Sequence, residues 1–336
     1  MSAPQLGRLH PRHGIHEPTT GTPDRARGSV RRTATTDMVR PDGLTGPLLL
    51  RGRARDLVTT SDGTAVVTGE ASCRGEVDYL EGRALRALET DPARPALRAV
   101  LGVPVASGFR AAVLEADPDL PEENGLLNLL LDDFPVTTLV SGHAVGAGLR
   151  ADGRALPLSV GRPMFGRNEC AGFADGGTIM NAVDSDGRAP SVTGPAAPPV
   201  TEGDEDGWHA LDPLPPHAMR RWRRIDVGTD GRVDVFYRDS YVRPDGLETI
   251  VHEYTIEALV DPAEGRVLSC EAVPRVLPWV ECPAAADSAR RLAGLPLEGL
   301  RPHVRGTFTG TTTCTHLNDT LRGLEDVPAL LRVVAS

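Results

Sequence analysis

The sequence predicts an α+β fold: an antiparallel sheet with flanking helices, in two lobes joined by a long irregular segment. Three observations carry that expectation. Strand-like runs follow one another, separated by Pro-Asp-Gly and Ser-Asp-Gly turns, before helical stretches appear. With 36 Gly and 29 Pro, about a fifth of the chain is turn-forming, which favours short strands over a helical bundle. Hydrophobic residues make up 40% and aromatics only 4%, so Leu, Val and Ala must fill a core sized for one large domain or two ordinary ones.

Taken in order, residues 1–28 lack periodicity and read as a disordered tail, with His10, His13 and His16 three apart. Residues 29–161 form an expected N-terminal α+β lobe. In it 31–44, 48–60 and 64–73 read as strands, the first ending in Pro41-Asp42-Gly43. Residues 77–90 place Tyr79, Leu80, Ala84, Leu85 and Leu88 at helical spacing. Residues 108–116 read as a strand, 121–134 as a helix opened by Pro121, and 136–145 as a strand. Asp132 and Asp133 at the helix end are expected to face solvent. Residues 162–219 are an irregular connecting segment carrying Trp208, His209 and His217, either packed over a site or plain linker.

Residues 220–336 form an expected C-terminal α+β lobe with a Cys/His cluster. Runs 224–228, 233–242, 248–261 and 266–277 read as strands, 285–295 and 315–334 as helices, and 303–308 as strand-like. The arginine-rich tract 219–224 reads as an exposed strand start paired with acids, the alternative being a phosphate or acyl-carrier contact. The hexamer VRPDGL occurs at 39–44 and again at 242–247, through duplication or through reuse of a common turn.

Composition excludes several chemistries. All 36 cationic side chains are arginine and none is lysine. That removes Schiff-base lysines, lysine bases and phosphate-loop lysines, and leaves acid–base work to His, Asp, Glu, Cys or Tyr. A net charge of −10 argues against binding nucleic acid or an anionic membrane. No dinucleotide fingerprint supports a nicotinamide dehydrogenase. The five cysteines are widely spaced, which favours reduced thiols over a disulfide scaffold. No apolar leader or spanning run occurs, so a cytoplasmic location is expected.

Chemistry-bearing side chains gather in the last third. Within 248–261, alternation puts Ile250, His252, Tyr254 and Ile256 on one face, so His252 needs a polar or metal partner there. PWVECP sets Cys282 at a strand-to-helix break, and TTTCTHLND sets Cys314 and His316 before a helix. One reading is a metal set of Cys282, Cys314, His316 and His252, suited to zinc, with a water activated if only three bind. Another makes Cys314 a nucleophile, with His316 or His252 as base and Glu253 or Asp319 orienting it. A third makes Cys314 a small buried hydrophobe and His316 a packing residue. Cys73 and Cys270 read as core and Cys170 as a more exposed loop residue. The expected function is a small-molecule lyase or hydrolase using this cluster. The alternative is a non-catalytic ligand-binding or accessory module.

The order RRTATTDMVRPDGL, HEYTIEALVD, PWVECP, TCTHLNDTLRGL resembles the bacterial family labelled domain of unknown function 2889, in a long variant. Thr313 stands where that family's closing motif has glycine, and a long stretch separates the opening element from the rest. The resemblance implies a site around the C-terminal Cys and His residues and implies no particular reaction.

Overall fold

A computed structural model describes residues 14–123, 125–153, 166–187, 190 and 192–335. Eight strands build one antiparallel sheet: β1 (Ser29–Val39), β2 (Leu48–Thr59), β3 (Ala65–Val77), β4 (Leu85–Asp91), β5 (Met219–Gly228), β6 (Arg232–Val242), β7 (Glu248–Asp261) and β8 (Arg266–Val276). Their order is β4-β3-β2-β1-β5-β6-β7-β8. Each half of the chain is thus a four-stranded meander. The halves meet where β1 pairs with β5, from Ser29 opposite Gly228 to Met38 opposite Met219. The fold is α+β, but the two expected lobes share a sheet instead of depending on the connecting segment for their joint.

Both VRPDGL segments are turns. The amide of Gly43 bonds to Arg40 O at 3.2 Å and that of Gly246 to Arg243 O at 2.9 Å. Both glycines take positive φ, which a side chain would oppose. Yet the first turn joins β1 to β2 and the second joins β6 to β7. They occupy different hairpins of the two meanders, so the hexamer is a reused turn.

The helices are α1 (Phe109–Ala116), α2 (Leu120–Glu123), α3 (Gly125–Val140), α4 (Gly142–Ala151), α5 (Thr178–Asp186), α6 (Leu300–Thr307), α7 (Thr315–Leu321) and α8 (Val327–Ala335). Four expectations fail here. Residues 77–90 end β3, turn, and form β4, because Leu85 completes a sheet edge that helical spacing does not reveal. Residues 108–116 are α1, and 303–308 fall mostly in α6. Residues 136–145 belong to α3 and α4. Helix α3 lies on β1, β2 and β3 and is buried nearly all round, Thr137 and Thr138 included. Burial on every side erases amphipathic spacing, and the β-branched Val136-Thr137-Thr138 then mimics a strand.

Helix α8 covers β1 and β5, and the 3-10 helix Cys282–Leu292 covers β8. One apolar core lies under each meander. The other face of the sheet carries a smaller cluster of Val200, Trp208, Trp222 and Phe236. There the connecting segment packs down: the His209 ring sits between the hydroxyls of Thr33 (2.9 Å) and Thr35 (2.8 Å), and Trp208 meets Trp222 edge-on at 5.4 Å. The later part of the expected tail is also tied to the sheet, with Leu277 N bonded to Ile15 O at 3.0 Å and Glu17 N to Arg275 O at 2.7 Å. His16 bridges to Val276, and His10 and His13 lie outside the described residues.

The arginine tract is buried, contrary to expectation, because β5 is a central strand. Arg220, Arg221, Arg223 and Arg224 each pair with carboxylates. A buried guanidinium must be paired to be tolerated.

Candidate functional site

Strands β6 and β7 set Asp239 directly opposite His252, and the ladder slips between Asp239 and Ser240. Such a bulge re-aims side chains locally. Alternation keeps Asp239 with Tyr237, whose hydroxyl donates to Oδ2 of Asp239 at 2.5 Å. His316 arrives from the opposite direction. After α6 the chain turns at Gly310 (φ 78°) and Thr313 closes that turn onto Gly310 O at 2.9 Å. Cys314 is extended, α7 begins, and His316 falls in its first turn. Its ring lies face to face with His252, centroids 3.8 Å apart and 23° between planes.

Both rings address one oxygen. His252 Nδ1 is 3.4 Å and His316 Nε2 is 3.9 Å from Asp239 Oδ2. Neither nitrogen has a well-formed hydrogen bond. Asp239 is fully buried and accepts from Arg221 Nε (2.9 Å) and Nη2 (3.1 Å). Burial would raise its pKa, but the Arg221 guanidinium, the adjacent His252 ring and the two Arg221 bonds hold the carboxyl far below the usual range. Burial, and next the neighbouring His252, push His316 well below its ordinary value, so it is neutral at neutral pH.

That electrostatic setting selects a tautomer. An anionic carboxylate facing Nε2 favours the proton there and leaves the Nδ1 lone pair free. Nδ1 lies 3.8 Å from Cys314 Sγ. The Cys314 thiol is pushed up by burial, partly offset by the Leu317 amide, the Tyr254 hydroxyl and the His316 amide. The couple therefore rests as neutral thiol and neutral imidazole. The rings are the solvent-touching part of the site, 12% exposed at His252 and 13% at His316.

Beneath the site lies a chain of buried ion pairs. Arg221 also reaches Asp133 Oδ1 (3.4 Å) and Asp319 Oδ2 (3.6 Å), Arg223 holds Asp133, and Arg322 joins Asp319 (2.6 Å) to Asp132 (2.7 Å). Asp132 and Asp133 are thus drawn inward to arginines, not turned to solvent. Burial opposes the ionised form of Asp132, but Arg322 and Arg110 hold it ionised to very low pH.

The structure brings His252, His316 and Cys314 together. Glu253, one residue from His252, falls on the other face, fully buried, bound to Arg238 Nε (2.6 Å) and the Thr19 amide (2.5 Å). Asp319 is taken by arginines. Asp239 occupies the orienting place assigned to those two acids. Cys282 is buried and its thiol is raised by burial, then by Cys314 and Cys170, so the three sulfurs share one neighbourhood. Cys170 is buried, not exposed, as are Cys73 and Cys270. Among the described residues, the set of metal-ligating atoms lying within 4.8 Å of one another is Asp239, His252 and His316, with no cysteine in it.

Sequence reasoning missed Asp239, Tyr237, Arg221 and His143. His143, on α4, stands edge-on to Tyr241 at 5.2 Å, and burial, then His252, lower its pKa to about 4. The available signal was an acid in an apolar strand: Tyr237, Asp239 and Tyr241 share a face two residues apart.

Residues 219–329, from β5 into α8, match the family model described as protein of unknown function (DUF2889). No curated protein and no solved structure matches the chain. No helix among the described residues is long and apolar enough to cross a membrane.

Proposed function

We propose that the chain is a small-molecule hydrolase that works by acyl transfer to Cys314. The observation that carries this reading is the relay Cys314 Sγ, His316 Nδ1 and Nε2, Asp239 Oδ2, spaced 3.8 and 3.9 Å. Contacts of this length tighten when substrate fills the site. As sulfur bonds to the carbonyl carbon, its proton passes to His316 Nδ1. The imidazolium that forms is stabilised by Asp239 through Nε2–H. The leaving group departs with the Nδ1 proton. Water, losing a proton to the same nitrogen, then breaks the acyl–sulfur bond and restores the thiol. His252, 3.4 Å from the same carboxylate, offers a second base for that water.

The convergence of Asp239, His252 and His316 favours a second reading, in which these three hold a zinc ion. Against it, stacked rings aim their in-plane lone pairs along parallel planes instead of at one point. Arg221 also sets a cation against the shared carboxylate.

The deciding experiment mixes purified protein with p-nitrophenyl acetate and locates the acetyl group by mass spectrometry, beside elemental analysis for zinc. The expected result is acetyl-Cys314 with turnover, abolished in a folded Cys314→Ser variant. Zinc at one per chain, with ester cleavage surviving Cys314→Ser, would establish the metal reading instead. Neither adduct, turnover nor zinc would leave the binding-module alternative.

A further inference from the structure

The two meanders follow one plan of strands and hydrogen bonds, and they differ at the site. In the first, Gly102 N bonds to Leu85 O (2.8 Å), Leu85 N to Val103 O (3.0 Å) and Val105 N to Arg83 O (2.8 Å). In the second, Gly294 N bonds to Val267 O (2.8 Å), Val267 N to Leu295 O (2.9 Å) and Leu297 N to Gly265 O (2.8 Å). The segments that do this read VLGVPV (100–105) and LAGLPL (292–297). Helix α3 then carries Leu127, Asn128 and Leu131 where α7 carries Leu317, Asn318 and Leu321.

This alignment superposes a second site on the first. Asp56 pairs across the ladder with Gly69, with a bulge just after it, as Asp239 pairs with His252. Arg32 grips Asp56 with two bonds of 2.7 Å, as Arg221 grips Asp239. There the likeness stops. Gly69 stands for His252 and Leu126 for His316, and a Cβ on Gly69 would touch Leu126 Cδ1 at 3.3 Å. Ala54 and Ala71 stand for Tyr237 and Tyr254.

Each arginine also reaches into the opposite half. Arg32 Nη1 bonds to Asp326 at 3.1 Å, and Arg221 Nη1 lies 3.4 Å from Asp133. Each of these acids has a second arginine, Arg301 for Asp326 and Arg223 for Asp133. We infer that the first half carries an emptied copy of the site, and that its remaining part in the reaction is to hold Arg221 through Asp133. Asp133 is then a positioning residue acting through Arg221 and Asp239. The second clause rests on the nucleophile reading; the first does not.

The test compares Asp133→Asn with Asp326→Asn, the acid that Arg32 reaches across the halves as Arg221 reaches Asp133, measuring melting temperature and the pH–rate profile of Cys314 alkylation by iodoacetamide. Both variants should lose similar thermal stability. Only Asp133→Asn should slow alkylation, by about tenfold, the equivalent of one pKa unit at His316, and Asp133→Glu should recover most of it. Equal slowing by both variants, or none by Asp133→Asn, overturns the positioning role. A loss of melting temperature confined to one variant overturns the equivalence of the copies. Should Asp133→Asn not fold, Arg221→Lys against Arg32→Lys makes the same comparison with charge retained. If Cys314 of the unaltered chain does not react, the nucleophile reading falls and the positioning role with it, while the melting temperatures still judge the copies.

Discussion

His252 and His316 lie face to face, 3.8 Å apart, over a single oxygen of Asp239. Only one of them, His316, also touches a sulfur. The two imidazoles therefore have different work, and their replacement should separate them. His316→Asn is expected to slow Cys314 alkylation by iodoacetamide about 10²-fold or more, the range of a lost general base. His252→Asn should slow it much less. Equal rates in both variants would contradict the assignment.

The resting couple is neutral, and this has a signature in pH. Burial raises the Cys314 thiol and lowers His316, so neither is charged near pH 7. Since both groups keep the same proton count across this range, alkylation assisted by His316 should be nearly flat between about pH 6 and pH 8, while the free protein shows no ultraviolet absorbance of a thiolate. Thiolate absorbance that Cys314→Ser removes would mean that a thiolate–imidazolium pair exists before substrate arrives.

Stability should fall with acid through buried histidines. His209, between Thr33 and Thr35, has its pKa lowered to about 3 by burial, then by Arg55, Arg220 and Arg53. A depressed histidine keeps its contribution above its ordinary value of 6.5 and loses it as pH falls toward the folded value. The slope is about 1.4 kcal/mol per pH unit for one such group. Urea unfolding at pH 7, 6 and 5 should show His209→Asn flattening that decline. An unchanged slope would show that His209 protonates freely in the folded protein.

Arg221 and Asp239 are both fully buried. Arg221→Leu strands a carboxylate and should cost about 3–5 kcal/mol. Arg221→Leu with Asp239→Leu should cost less than the single change, since no charge remains unpaired. Chemical denaturation of the two variants measures the difference. A double variant less stable than the single one would mean that the couple contributes net stability.

Strands were legible where alternation and Pro-Asp-Gly turns acted locally, as in β1, β2 and β6 to β8. Helices α1 and α4 were not: α1 buries only Phe109 and Val113, too few to mark a period, and α4 follows directly on the buried, β-branched end of α3, so the two read together as one strand-like run. The site was half legible. His252, Cys314 and His316 stood out as residue types with few roles in an apolar setting. Asp239 did not, since one acid in a strand carries no spacing of its own. Its meaning comes from the register that sets it opposite His252 and from Arg221 in the neighbouring strand. Glu253 illustrates the converse error: adjacency in sequence put it beside His252, and strand geometry sent it to the other face.

The seam between β1 and β5 also constrains how the chain is made. Strand β1 leaves the ribosome early, finds β2 at once, and then waits for about 180 residues to follow before β5 exists. At about 5–20 residues per second, that is roughly ten to forty seconds with one side of a future central strand unpaired. During this interval the exposed edge could recruit another nascent chain. Its side chains discourage that: Arg31 and Arg32 near one end and Asp37 near the other place charge along the open border. Arg31 and Asp37, which later bury their charges against Asp226 and Arg220 of β5, can guard the strand during synthesis, before those partners have been translated, whereas Arg32 finds Asp56 on β2 at once.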